Sequence, residues 1–382
     1  MNERNENIRY SLLISLNTMM LCSGLGFTTY YLLDAQIAES DIGILLAVSC
    51  LVAVLLQQLF GRMVDTGRVE GKKILLFLDV VMIIAAVVVL FVSSTFAKAI
   101  ISGLLLCLTL TMQPILNAFT LFYQNRGISV NYGIARGCGS LSFAIMSVII
   151  GFFTVPFGSI VVPLSYLIFC VAFCYVTKTM PNLRGSSSRM QTSQALQLSK
   201  FPAFAWMLAG LSLVMIFHNA VQMYFIRLIE HVGGNTGDLG VALAIAAVVE
   251  IPALFLYTRI KGQTPSKIFL AISGVAFFAK AALFLFASQI WTIFAVQLVQ
   301  FLAYGIMVGG RVYWVNETIS PAFQVTAQAY VVATETIGIV LGSILGGFIV
   351  QLGGIEALLW LGAIMAFLGM VCMIYSAQYK TR

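Results

Sequence analysis

Apolar residues run along this chain in long blocks, separated by short polar or Gly/Pro punctuation. Neither the strict alternation of a half-buried strand nor the narrow stripe of a surface helix is present. The blocks cover 9–33, 41–62, 72–94, 97–123, 131–154 and 159–178, then 201–228, 239–259, 267–287, 290–316, 323–350 and 355–377. Each is close to the roughly 20 apolar residues a helix needs to cross a bilayer. The pattern predicts an all-α integral membrane protein with 12 transmembrane helices. One polar stretch interrupts it, Pro181 to Lys200, which contains Arg184, three serines (Ser186 to Ser188), Arg189 and Gln191. This stretch predicts an N-terminal six-helix bundle over 1–178, a cytoplasmic linker over 179–200 and a C-terminal six-helix bundle over 201–382.

Composition narrows the function classes. Of 382 residues, 60% are hydrophobic and 9% charged, against about 25% charged in a soluble domain. A soluble enzyme or a disordered chain is excluded, and the net charge of +7 is spread too thinly for a nucleic-acid-binding patch. With the N-terminus inside, 16 of the 21 Lys and Arg fall in cytoplasmic segments and only Lys98 and Arg227 in outer ones; Arg136, Lys280 and Arg311 lie within spans. That asymmetry predicts a multi-pass protein of the cytoplasmic membrane with both termini inside. The outer loops carry Asp34, Glu39, Asp41, Glu230, Asp238 and Glu356. The 7 cysteines all lie in apolar segments, which is no disulfide framework. Cys170 and Cys174 share a helix face, but His218, the nearest histidine, is one helix further on, so neither a metal site nor a cofactor is expected. The first apolar run is too long for a cleavable signal peptide. Two histidines supply no cluster for intramembrane catalysis, so the chain is not expected to be an enzyme.

The segment Gly61-Arg62-Met63-Val64-Asp65-Thr66-Gly67-Arg68-Val69-Glu70-Gly71-Lys72-Lys73 joins the second and third spans. It resembles the G-x-x-x-D-x-x-G-R/K loop of the major facilitator superfamily. Asp65 to Gly67 is one residue short of that pattern, and Gly71-Lys72-Lys73 stands as a late second copy. The resemblance implies two pseudo-symmetric six-helix bundles with the solute near the midplane between them. It also implies that Gly61 lets two helices approach closely, while Asp65 caps a helix and with Arg68 steadies a gate. The short basic loop from Arg259 to Lys267 occupies the matching place in the second half.

A narrower resemblance lies in Asn131-Tyr132-Gly133-Ile134-Ala135-Arg136-Gly137-Cys138-Gly139-Ser140. It is similar to the start of the fifth span in the lactose permease-like branch of oligosaccharide and nucleoside proton symporters. The resemblance implies that Arg136 binds solute hydroxyls. Leu116-Asn117-Ala118-Phe119 matches the fourth-span segment, with Asn117 where lactose permease carries a sugar-binding Glu. The tenth span departs from the branch: the His and Glu that couple protons in lactose permease are here Gln300 and Ala303. Coupling then needs other carboxyls.

Ionisable residues inside spans are costly and so are functional candidates. Glu250, in Val248-Val249-Glu250-Ile251-Pro252, is too deep to snorkel and can load and release a proton; the plainer alternative is an ion pair with Lys280 or Arg311. Lys280 lies where the branch has a coupling Arg, with an outward-snorkelling lysine as its alternative. Glu335, in Thr334-Glu335-Thr336-Ile337-Gly338, stands three residues before a glycine, as Arg136 does, so the two are expected at pseudo-symmetric positions in one cavity. Gln297, Gln300 and Tyr304 share one helix face. Arg311 and Trp314 lie one turn apart, a pair suited to a stacked ring or an anion, unless they form an interfacial belt. His218, with Asn219 and Gln222, is either a solute contact or a hydrogen-bonded core histidine. Asp79 reads as structural, meeting a basic loop residue.

Together these predict alternating access by a secondary transporter of a small polar solute, a sugar first, with proton symport. The alternative is a proton-driven exporter of sugars, drugs or metabolites, although the fifth span lacks the G-x-x-x-G-P signature of drug antiporters. Solute contacts are Asn117, Arg136, His218, Gln300, Tyr304, Arg311 and Trp314; coupling residues are Glu250, Glu335 and Lys280; gate residues are Gly61, Asp65 and Arg68. The expected partners are the solute, protons and lipid, with no nucleic acid, and the protein is expected to be a monomer.

Overall fold

The computed structural model describes residues 3–124, 127–181, 201–320 and 323–379, and these are helical with no strand among them. Helix is the outcome that physics requires, because an apolar segment in hydrocarbon must satisfy its backbone hydrogen bonds within itself. The first span is α1 (Glu3–Leu21), a π-helical stretch (Cys22–Phe27) and α2 (Thr28–Asp34) in sequence. There follow α3 (Glu39–Asp65), α4 (Gly71–Phe91), α5 (Thr95–Gln124), α6 (Tyr132–Phe157) and α7 (Val161–Thr179). The seventh span is α8 (Pro202–Met223) and α9 (Phe225–His231), interrupted at Tyr224. Next come α10 (Thr236–Lys261) and α11 (Ser266–Leu285). The tenth span is α12 (Ile290–Gln297), a second π-helical stretch (Phe301–Gly305) and α13 (Ile306–Thr318). The last element, α14 (Gln324–Gln378), contains the final two spans, folded back at Gly354, where φ 72° and ψ −176° break the helix. Such a backbone conformation suits glycine alone, and it brings the number of spans to the 12 that the apolar blocks predict.

The helices overrun the apolar blocks where polar residues find local work. The start of α10 is fixed by a capping box: the Asn235 side chain accepts from the Gly237 and Asp238 N–H groups, and Asp238 Oδ2 accepts from the Asn235 N–H at 2.9 Å. Asp238, one of the acidic loop residues, is thus a cap.

Two compact units divide the chain, one of residues 1–190 with 239–244 and one of 191–238 with 245–382. Within the first, α1 packs on α6, α4 on α7, and α3 on α5. Within the second, α8 packs on α14, and α11 on α14 and α13. Glycines show that the two schemes are one scheme repeated. A Cβ at Gly139 would meet Thr18 Oγ1 at 2.9 Å, so the fifth span lies tight on the first. A Cβ at Gly338 would meet Met215 Cβ at 2.5 Å, so the eleventh lies still tighter on the seventh. Arg136 and Glu335 each stand three residues before one of these glycines.

Asp79 differs from its expectation. It is fully buried on α4, neither carboxylate oxygen has a nitrogen or oxygen partner among the described residues, and its polar neighbours are the thiols of Cys170 and Cys174 on α7. Among the described residues no basic loop residue reaches it, since the side chain is enclosed where α4 packs on α7. An unsatisfied buried polar group costs about 1–3 kcal/mol. Asp79→Ala is therefore expected to raise the thermal unfolding midpoint in detergent; a lower midpoint would show that the carboxyl contributes stability.

Candidate functional site

The second unit carries a row of polar side chains across three spans. Glu250 sits on α10, two residues before Pro252, which takes one backbone hydrogen bond out of that helix. Lys280 sits on α11 and is only 4% exposed, so it does not snorkel. Gln300 sits between α12 and the π-helical stretch and is buried. Lys280 Nζ donates to Gln300 Oε1 at 2.5 Å, and Gln300 Nε2 donates to Glu250 Oε1 at 2.8 Å. An amide can do this because one end accepts while the other donates. The anticipated contact between Glu250 and Lys280 thus runs through Gln300, which joins an ammonium to a carboxylate. Lys280 Nζ also lies 5.5 Å from the centre of the Phe284 ring, within cation–π range.

The π-helical stretch gives this span its local shape. Widened turns of this kind recur at functional sites. Ser273 Oγ, from α11, donates to the Ala303 carbonyl at 2.5 Å inside the stretch. Gly305 lets the tenth span lie on α10, since a Cβ there would meet Ala253 Cβ at 2.5 Å. Tyr304 stacks on His218 of α8, with ring centroids 5.1 Å apart and planes at 23°. His218 also meets the edge of Phe277 at 5.9 Å. A small cavity beside this stack is lined by His218, Gln222, Lys280 and Gln297, among others. Gln297, Gln300 and Tyr304 therefore do address one region, as their spacing predicts. Asn219 does not join them: its Nδ2 donates to the Met215 carbonyl of its own helix at 2.8 Å.

Further along the tenth span, Arg311 Nη1 pairs with Glu335 Oε1 of α14 at 2.5 Å, with side chains 14% and 27% exposed. Glu335 has its partner within its own unit. Trp314 is 2% exposed and stacks on Phe204 of α8 at 5.0 Å and 10°. The expected use of Trp314 as a solute platform beside Arg311 is corrected accordingly. The Phe204 ring of α8 covers the indole, which is buried.

In the first unit, Asn117 on α5 and Arg136 on α6 are exposed, and Arg136 forms no ion pair among the described residues. In the gate loop, Gly61 departs from its expectation. A Cβ at Gly61 would meet nothing within 4 Å, so no helix approaches it closely. α3 continues as helix through Gly61 to Asp65, and among the described residues the glycine is not at a close helix crossing. Asp65 closes α3, but its side chain lies outside the described residues, and Arg68 is exposed without an ion pair among those residues. Lys72, the second residue of α4, ties this loop to the end of α7. Lys72 Nζ donates to the Lys178 carbonyl at 2.9 Å and the Met180 carbonyl at 2.6 Å, capping the end of α7.

The corresponding loop of the second unit has a tie that no sequence signal marks. Glu317 accepts from the Ser266 backbone N–H at 2.8 Å and the Ser266 hydroxyl at 2.9 Å, at the start of α11. Lys261 reaches the same carboxylate at 2.8 Å. That hydrogen bond holds the Lys261 ammonium above the usual lysine range. Glu317 thus caps a helix from 51 residues away. Glu317→Gln is expected to lower stability by about 1 kcal/mol, the usual worth of a cap, read as a lower unfolding midpoint; an unchanged midpoint would remove the tie from the account.

Twelve spans in two repeats, with an ionisable row buried in the second, define a multi-pass membrane transporter. The chain belongs to the MFS_1 like family, whose family model matches residues 19–360. No curated protein matches by sequence. Among solved structures, the chain is similar to a point mutant of the nucleoside transporter NupG, at 15% identity and a TM-score of 0.82, covering 97% of this chain and 98% of that one. Unmutated NupG matches at 16% identity and 0.79 over 100% of both chains. A bacterial homologue of the iron transporter ferroportin matches at 11% identity and 0.74, covering 99% and 100%. At these identities the likeness establishes the fold. The family and the structures it resembles are membrane transporters rather than enzymes.

Proposed function

We propose that this protein is a secondary active transporter that imports a small hydroxylated solute, a nucleoside or a sugar, together with protons. The observation that carries the proposal is the Glu250–Gln300–Lys280 row. It holds a carboxyl that can take up a proton in direct contact with an amide suited to solute hydroxyls. Glu250 is the proton carrier and Lys280 its counter-charge. When Glu250 takes a proton, the charge facing the Gln300 N–H disappears while Lys280 continues to hold the amide oxygen. The Gln300 N–H is then free for solute, which links proton and solute binding. Tyr304 and His218 offer aromatic faces, and Asn117, Arg136 and Arg311 supply further polar contacts. The likeness to NupG supports a nucleoside ahead of a sugar. Glu335, held by Arg311, is the second coupling carboxyl. The proposal includes alternating access, bundles over 1–178 and 201–382 joined by 179–200, a monomer, and both termini in the cytoplasm.

The test is transport by purified protein in liposomes, with labelled uridine and labelled lactose. Wild type is expected to accumulate one of them under an inward proton gradient. Glu250→Gln should still exchange that solute across the membrane but lose accumulation at least tenfold. Equal accumulation by the variant would exclude Glu250 as the carrier.

A further inference from the structure

We infer that the cavity beside the His218–Tyr304 stack is a subsite for a single hydroxyl oxygen, and that the Gln297 amide detects it. The cavity measures about 10 Å³, room for one oxygen and no more. Gln297 lines it, is 1% exposed, and its Oε1 has no partner among the described residues. A buried amide acceptor without a donor carries a free-energy cost that a fitting guest would remove. Lys280 forms another part of the wall. It gives one N–H to Gln300 and has two more to offer.

The guest must therefore accept from an ammonium and donate to an amide oxygen. An ether or carbonyl oxygen can only accept, and leaves Gln297 unpaired. A cationic amine can only donate, and is repelled by Lys280. A methyl group does neither. A hydroxyl does both, and it serves the amide whichever way that group is turned. Phe217, Val221, Phe225 and Phe284 make up apolar parts of the wall, and the cavity's size admits an oxygen and not a bulkier group. Two sources supply such an oxygen: a water molecule, or a hydroxyl of the transported solute. The second source rests on the functional proposal above; the first does not.

Two measurements on purified protein separate the sources. The variants are Gln297→Leu and the unbranched Gln297→Met, either of which suffices if it elutes as a single sharp peak. A structure of wild type that resolves waters is expected to show one ordered oxygen within hydrogen-bond distance of Gln297 and Lys280, absent in the variant. Competition for uptake is then compared between uridine and its 2′-deoxy, 3′-deoxy and 5′-deoxy forms. If wild type favours uridine over one of these by at least tenfold and the variant closes that gap to about twofold, the oxygen is the solute's. If the ordered oxygen is present and the preference is unchanged, it is a water, and the subsite stands without a role in selection. No ordered oxygen together with unchanged preference overturns the inference. Should wild type carry no nucleoside at all, the solute proposal fails while the structural measurement still decides the subsite.

Discussion

Lys280→Met is expected to destabilise the protein by about 3–5 kcal/mol, the usual cost of removing one member of a buried charged pair. The ammonium is buried and satisfied through Gln300, which in turn binds Glu250. Without it, the buried Gln300 oxygen loses its donor and the half-buried Glu250 charge its counter-charge. The double variant Lys280→Met with Glu250→Gln removes both charges together, and should recover most of the loss. Thermal unfolding of the two singles and the double forms the cycle. A double variant whose loss equals the sum of the singles would show that the row is not an energetic unit. Gln300→Leu should resemble Lys280→Met, since it severs both bonds at once, whereas Gln300→Asn should be milder.

The second large effect concerns Arg311 and Glu335. Either partner changed to Gln leaves the other charged and half-buried, and is expected to cost about 1.5–3 kcal/mol, as for other hydrogen bonds to charged groups. Transport should fall at least tenfold in each single variant. Exchanging the two, Arg311→Glu with Glu335→Arg, should restore stability and part of the transport. No rescue in the exchanged variant would show that position and not pairing is what matters.

What the sequence made legible follows from the membrane as solvent. Apolar blocks of spanning length have one backbone solution, so all the spans could be placed. Even the fold-back at Gly354, marked by only one charged residue, Glu356, lay at a gap between blocks. The glycines three residues after Arg136 and Glu335 each mark a close helix contact within their own unit. The row at Glu250 was legible in its members, since charge inside a span stands out, but not in its connection through Gln300. That depends on the register of α10, α11 and the π-helical stretch. Trp314 misled because an indole one turn from an arginine looks the same in sequence whether it faces a cavity or, as here, Phe204. The contacts of Glu317 and Lys72 are not legible for a related reason: each caps a helix end far away in the chain, and no local pattern records such a contact.

The central claim is that solute and proton enter together through Glu250. The most direct test is external pH in lightly buffered, de-energised cells producing the protein, on addition of uridine or a sugar. The account predicts alkalinisation with one of these solutes, abolished in Glu250→Gln at equal membrane abundance. Entry of labelled solute with no change in external pH would contradict it.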